Sequence, residues 1–362
     1  MRPSSSICLA WLALSLSVAC GSDGAPDEGA ENAYGGEGVD APVTASDLTA
    51  AHAVSGLTSM TPVTKQLGAN VAALLPADRI LASGSRLTAV RSLSLEGTPA
   101  YVVVDERSMR SFVVKRADFD AGTTTTVDTN SASFVAALRA RAQSPITRMN
   151  VAADATEMTV TIDMCQSSKP WDVKLFDWLR QVSTAIGKPV PVGVAMTGGW
   201  AKAHGTQLAQ LLSWQKSKQL DIVWVNHSYT HPLNCNAAKT SCAFLTASSV
   251  DMKSEVLKNE ELLLAQGAVP SSLFRFPGLV HNQARMSELN KLSLFALDAD
   301  TWLAKGQPTH DGSLILVHGN GNEPPGITKF MNLASQNRWL EEAKAGRLQF
   351  VSPLRGIVAT AE

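Results

Sequence analysis

Val223-Trp224-Val225-Asn226-His227-Ser228-Tyr229-Thr230-His231-Pro232 is the stretch on which the reading of this chain turns. The β-branched and aromatic run 222–225 predicts a short buried strand, and the polar residues and proline after it predict a loop at the strand's carboxyl end. In parallel α/β sheets that end is where sites are assembled. The loop carries two histidines four residues apart. If it turns helically, both imidazoles share one face and can grip a single divalent cation. Two ordinary loop histidines would show the same spacing, so the pair gains meaning only from the rest of the chain.

Working outward, three more strand-like runs end in polar groups: 158–162 before Asp163, 273–274 before Arg275-Phe276-Pro277-Gly278, and 314–317 before His318. In order, the chain reads Thr161-Ile162-Asp163-Met164, His227-Ser228-Tyr229-Thr230-His231, Arg275-Phe276-Pro277-Gly278, Asp298-Ala299-Asp300-Thr301-Trp302 and Leu316-Val317-His318. This succession resembles the polysaccharide deacetylase (NodB-homology) family, whose motifs are T-F-D-D, H-[ST]-x-x-H, R-x-P-x-G, D-x-x-x-W and L-x-H. The third match is looser, with Gly278 directly after the proline.

Patterning agrees with a layered α/β chain. Strands are expected at 158–162, 190–195, 222–225, 273–276, 294–297, 313–317 and 348–351, with helices between them at 171–186, 201–218, 250–266, 283–290 and 329–345. Strands separated by helices predict a parallel sheet. The resemblance implies a distorted (β/α)7 barrel of NodB type over 155–362, with its chemistry at the carboxyl ends of the strands. Before it, 47–154 reads as a small α/β accessory region of unnamed role. It has a short capped helix at 47–53, a hairpin at 100–104 and 111–115, a Thr-rich stretch at 123–126 and an amphipathic helix at 133–143.

Amide hydrolysis needs an activated water, stabilisation of the oxyanion and a proton for the departing amine. The resemblance implies that His227 and His231 ligate a divalent metal, with zinc the expected identity. It makes Asp163 the base and His318 the acid. Arg275 would hold the Asp163 carboxylate, and Asp298 would orient His318 and favour its protonated form. Trp302 and Leu316 would wall an acetyl pocket, and the Gly278 N–H would face the oxyanion.

The second aspartate of the first motif, a metal ligand in the family, is Met164 here, followed by Cys165-Gln166. A thioether cannot replace a carboxylate toward a hard or borderline cation. Three outcomes stand open. The histidines hold the metal with water or with Asp163, the site recruits the Cys165 thiolate, or no metal binds and the barrel only binds glycan.

The 362 residues carry a net charge of −1 and are 45% hydrophobic, which allows a large core and gives no electrostatic case for nucleic acid. At the start, Arg2 and an apolar run at 7–19, too short to span a bilayer, read as a signal peptide over 1–19. Leu16-Ser17-Val18-Ala19-Cys20-Gly21 resembles a bacterial lipoprotein signal, with Cys20 lipidated. The stretch 20–46, poor in large apolar residues, reads as a disordered tether. The expectation is secretion across the inner membrane and lipid anchoring in the outer membrane or cell envelope, with membrane contact only through the lipid; a plain secreted protein is the alternative.

Of Cys165, Cys235 and Cys242, the pair Cys235–Cys242 is the first expectation for a disulfide, across a turn-like intervening stretch; Cys165–Cys235 is the alternative. The function implied is metal-dependent hydrolysis of N-acetyl groups or related amides, a carbon–nitrogen hydrolase acting on a polysaccharide such as peptidoglycan or a chitin-like glycan. The competing reading is a surface protein that binds glycan without turnover.

Overall fold

The computed structural model describes residues 51–358, apart from 69–70, 76–83, 125–133, 152–153 and 239–240. The expected signal peptide, Cys20 and the tether lie outside the described residues. Among the described residues no helix is long and apolar enough to cross a membrane.

The first part is an antiparallel sheet. Strands β1 (Val54–Gln66), β2 (Arg86–Leu95), β3 (Thr98–Asp105), β4 (Ser111–Lys115) and β5 (Thr123–Thr124) stand in the order β4-β3-β2-β1-β5. Helix α1 (Arg116–Asp120) follows β4, and α2 (Phe134–Ala140) follows β5. The expected hairpin is β3–β4, with Val102 opposite Val113. The helix expected at 47–53 is not seen where the chain is described: residues 51–53 are non-helical and β1 begins at Val54. The region is therefore richer in strand than its local patterns predicted.

The second part alternates strand and helix. The elements are β6 (Thr156–Met164), α3 (Val173–Ile186), β7 (Val190–Met196), α4 (Gly198–Ala203), α5 (Gly205–Lys216), β8 (Leu220–Asn226), α6 (Met252–Ala265), β9 (Pro270–Phe274), α7 (Gln283–Lys291), β10 (Phe295–Ala296), β11 (Thr301–Trp302), β12 (Ser313–His318), α8 (Pro324–Gln336), α9 (Trp339–Lys344), β13 (Leu348–Phe350) and α10 (Arg355–Val358). All seven expected strands form, and β11 is added. Two expected helices are split. The one at 201–218 breaks at His204, and the one at 329–345 breaks where Arg338 takes φ 52°.

The parallel sheet runs β10-β9-β8-β7-β6-β12-β11, and β13 pairs with the start of β6 before β7 takes over. No ladder joins β10 to β11 among the described residues, so the expected closed ring is a curled sheet with a seam. The last residues of the first part stitch that seam. The Ile146 N–H donates to Ala296 O and the Asp298 N–H to Ile146 O, both at 2.8 Å, while the Met149 N–H donates to Gly312 O at 3.0 Å. Two-residue β10 cannot form a full edge ladder, and the irregular segment 146–149 satisfies the groups it leaves.

Alternation along β6 fixes two environments. Met158, Val160, Ile162 and Met164 belong to the cluster under the surrounding helices. Glu157, Thr159, Thr161 and Asp163, also buried, share the opposite face, toward the lumen. The lower lumen is filled by Ala195, Val225, Leu273, Leu297 and Leu314, in one cluster with Val90, Val102, Phe134 and Ile146 of the first part. Beside this cluster Arg91 makes a two-pronged ion pair with Glu260 of α6, at 2.6 and 3.0 Å, both side chains buried.

Candidate active site

Register brings the motifs together. Asp163 and His318 are direct partners on the neighbouring parallel strands β6 and β12. His227 follows the last residue of β8, and Arg275 the last residue of β9. On β12, Leu316 and His318 share the lumen face by alternation, while Ile315 and Val317 join the helix-side cluster.

Arg275 is fully buried and reaches across the lumen. Its Nη1 donates to Asp163 Oδ1 at 2.7 Å and to Thr161 Oγ1 at 2.8 Å, its Nε to Leu297 O at 3.1 Å and its Nη2 to Asp298 O at 2.9 Å. The expected Arg275–Asp163 contact is present. Burial pushes the Asp163 carboxyl up, but the charges of Arg275, His227 and His318 and the Arg275 hydrogen bond outweigh it, so its pKa lies below the ordinary value.

The histidine loop is braced from α6. Glu255 accepts from the N–H groups of Tyr229 and Thr230 at 2.9 and 2.8 Å and from the Thr230 hydroxyl at 2.7 Å. Ser228 Oγ accepts the His231 N–H at 3.1 Å. These anchors let Ser228 and His231 hold φ of 68° and 47°, which non-glycine residues seldom adopt unaided.

His227 Nδ1 lies 2.8 Å from the Arg275 carbonyl oxygen. A carbonyl only accepts, so Nδ1 carries the proton and Nε2 is left with its lone pair, the tautomer a metal needs. Burial lowers the pKa of His227, and burial with His227 nearby takes His231 down to about 3. Both rings are therefore neutral near pH 7. His231 Nε2 is buried with no hydrogen-bond partner. An orphaned buried ring nitrogen is costly unless something binds it.

Cys165 is the third member. Its Sγ is 3.5 Å from His227 Nε2, and ligand atoms of Cys165, His227 and His231 all lie within 4.8 Å of one another, all three residues buried. The sequence identifies the gap at Met164, and alternation explains it: Met164 faces the helix-side core, where its sulfur sits close to Gly319, and the next residue turns in. Side chains after β12 hold this turn, Asn320 donating to Cys165 O at 2.8 Å and Asn322 to Gln166 O at 3.1 Å. The Gln166 amide also donates to Thr230 O in the histidine loop. Cys235 and Cys242 form the disulfide expected first, which leaves Cys165 as a thiol.

Other expected contacts need revision. Asp298 does not orient His318 as expected: its carboxylate faces His281 Nε2 at 3.0 Å and raises that histidine's pKa. The carboxylate beside His318 Nδ1 is Glu323, at 2.7 Å, which also accepts from Trp302 Nε1 at 2.9 Å. A motif position fixes where Asp298 stands in the chain, just after β10, and not where its side chain turns. Trp302 is buried, with its ring 5.8 Å from that of His318. Gly278 has φ 63°, and a Cβ there would meet the Phe244 ring at 2.7 Å, so only glycine fits. Sequence reasoning missed Glu255, Glu323 and Asn320; none lies in a motif, and Glu255 looks like any first-turn acid of a helix.

No family model matches the chain. The structure is similar to a family 4 carbohydrate esterase from Bacillus anthracis, at 15% identity over 60% of this chain and 88% of that one, with a TM-score of 0.43. It is also similar to a family 4 carbohydrate esterase from Streptomyces lividans in complex with acetate, at 17% identity over 55% and 93%, TM-score 0.38. A third is a CE4 family pseudoenzyme from Bacillus anthracis, at 14% identity over 51% and 63%, TM-score 0.36.

Proposed function

We propose that the chain is a zinc-dependent hydrolase that removes N-acetyl groups from a polysaccharide of the peptidoglycan or chitin type. The observation that carries the reading is the buried Cys165–His227–His231 cluster beside the Asp163–Arg275 pair. Two neutral imidazoles, one of them with an orphaned nitrogen, and a thiol suit zinc, and three protein donors leave a fourth position for water or substrate. Zinc bound there supplies Lewis acidity, polarising the acyl carbonyl and acidifying water.

The chain's own groups supply the rest. Asp163 is held ionised by Arg275 and takes the proton of the attacking water. His318, its partner across the strands, gives a proton to the departing nitrogen. Trp302 and Leu316 wall the acyl side, and the Gly278 N–H is offered to the oxyanion, without a side chain in the way. We extend the proposal to secretion and lipid anchoring, on the strength of the sequence before Gly21.

The test is metal content with turnover. The full chain, loaded with zinc and desalted, is expected to retain about one equivalent and to release acetate from chitin oligomers or peptidoglycan fragments. Cys165→Ser and His231→Ala are each expected to lose the metal. With cobalt, wild type should show a thiolate charge-transfer band that Cys165→Ser lacks. Metal no higher than in His231→Ala would retire the hydrolase in favour of glycan binding without turnover.

A further inference from the structure

We propose that Glu323, and not Asp298, is the positioning residue that holds His318 ready to donate its proton; this rests on the deacetylase reading above. Glu323 Oε2 lies 2.7 Å from His318 Nδ1 and accepts the Trp302 indole N–H at 2.9 Å. The carboxylate is thus fixed at two points, between the acid and the pocket wall. His318 and Trp302 pull the Glu323 pKa below its ordinary value against the upward push of burial, so it faces the imidazole as an anion.

The backbone makes the placement repeatable. Glu323 is the residue before α8, and Pro324 and Pro325 occupy the first helical positions, where fixed φ suits the helix and restricts the residue before. Between His318 and Glu323 the chain turns through Gly319-Asn320-Gly321-Asn322. Gly319 packs where a Cβ would meet Ile162 at 2.6 Å, Gly321 has φ 77° and donates to Asp172, and Asn320 and Asn322 bond to the Cys165 and Gln166 carbonyls. The return is therefore fixed at nearly every residue. Asp298 is engaged elsewhere, its carboxylate with His281 and its carbonyl with Arg275.

The chemistry follows from the two ring nitrogens. With Nδ1–H held by the Glu323 carboxylate, the proton on Nε2 is the one available to the leaving amine. As the C–N bond breaks, its electron pair takes that proton. The neutral ring then regains a proton equivalent to the one Asp163 took from water, so the net reaction is amide plus water to acetic acid plus amine, which near pH 7 are acetate and ammonium. A carboxylate that orients the imidazole and stabilises its cationic form matters most when the leaving group cannot depart unprotonated.

That difference is the test. In the full-length zinc protein, Glu323→Gln is expected to lower kcat on an N-acetyl chitooligosaccharide by about 100-fold, with KM and zinc content little changed. An activated aryl acetate, whose phenolate leaves without a proton, should lose no more than about threefold, because the acid step is bypassed. Asp298→Asn keeps the backbone carbonyl that anchors Arg275 and alters only the His281 contact, so any loss should fall on both rates alike. A merely structural Glu323 would cost amide and ester equally. That result, an unchanged Glu323→Gln enzyme, or selective amide loss in Asp298→Asn would overturn the proposal. Nitrogen-15 spectra of the histidine rings give a second readout that needs no turnover: in wild type the acid form of His318 should be protonated on both ring nitrogens, with Nδ1–H retained when Nε2 gives up its proton, and this should change on Glu323→Gln. If wild type hydrolyses nothing, the deacetylase reading fails on its own. An unchanged His318 ring would then refute the Glu323 contact separately.

Discussion

His231 shows how far burial can shape one side chain. Its pKa of about 3 means that the folded chain refuses a proton which the unfolded chain accepts below about 6.5. For the metal-stripped protein the stabilisation is fully present above about pH 6.5 and is lost as pH falls toward about 3, because the unfolded state binds more protons across that window. The slope is about 1.4 kcal/mol per pH unit for one proton. His227, also shifted down by burial, adds in the same direction. Urea midpoints at pH 7 and pH 4.5 should show the fall, and His231→Gln should flatten it. Asp163, His227, Arg275 and His318 were legible in the sequence because each stands at or just past the end of an apolar run, and His231 through its four-residue spacing from His227. Cys165 was legible only as one of three outcomes, since choosing among them needs the phase of β6. Glu323 was illegible: its partner is set by a five-residue return and a proline start, and sequence shows neither path nor direction.

Among elements, the histidine loop depends on a helix it does not belong to. Glu255 supplies three hydrogen bonds to Tyr229 and Thr230 from α6. Glu255→Ala should therefore lower zinc affinity by about 10- to 100-fold, the usual cost of removing an outer-shell support, while leaving helix content unchanged. Competition against a chelator with a known zinc affinity measures the first, and circular dichroism the second. The parallel strands were readable because strands buried on both faces are continuous apolar runs. β1 and β2 were not, because β1 mixes exposed and half-buried positions and β2 carries a buried arginine in its middle. The helix break at His204 is marked in the sequence only by Gly205 beside it, and the break at Arg338 by no glycine or proline at all.

At the scale of the whole molecule, the two parts share one core. Arg91 and Glu260 tie the first sheet to α6 where neither charge can reach water. Arg91→Met should cost about 3–5 kcal/mol in chemical denaturation, because it strands the Glu260 charge, whereas Arg91→Met with Glu260→Leu should recover most of that loss. The seam between β10 and β11 is stitched by 146–149. A fragment beginning at Asp154 should therefore bind a dye specific for exposed apolar surface and unfold without a sharp transition, while the full chain unfolds cooperatively.

Among the described residues, folding in an oxidising medium has three thiols to sort correctly, those of Cys165, Cys235 and Cys242. Cys235 and Cys242 are 7 residues apart, whereas Cys165 is 70 residues before Cys235. Closing the tenfold longer loop costs about 2 kcal/mol more in chain entropy, so the local pair is captured first by roughly thirtyfold. The disulfide thus has a consequence beyond stapling a loop: by consuming each other early, Cys235 and Cys242 leave the third sulfur reduced until β6 delivers it to the histidines.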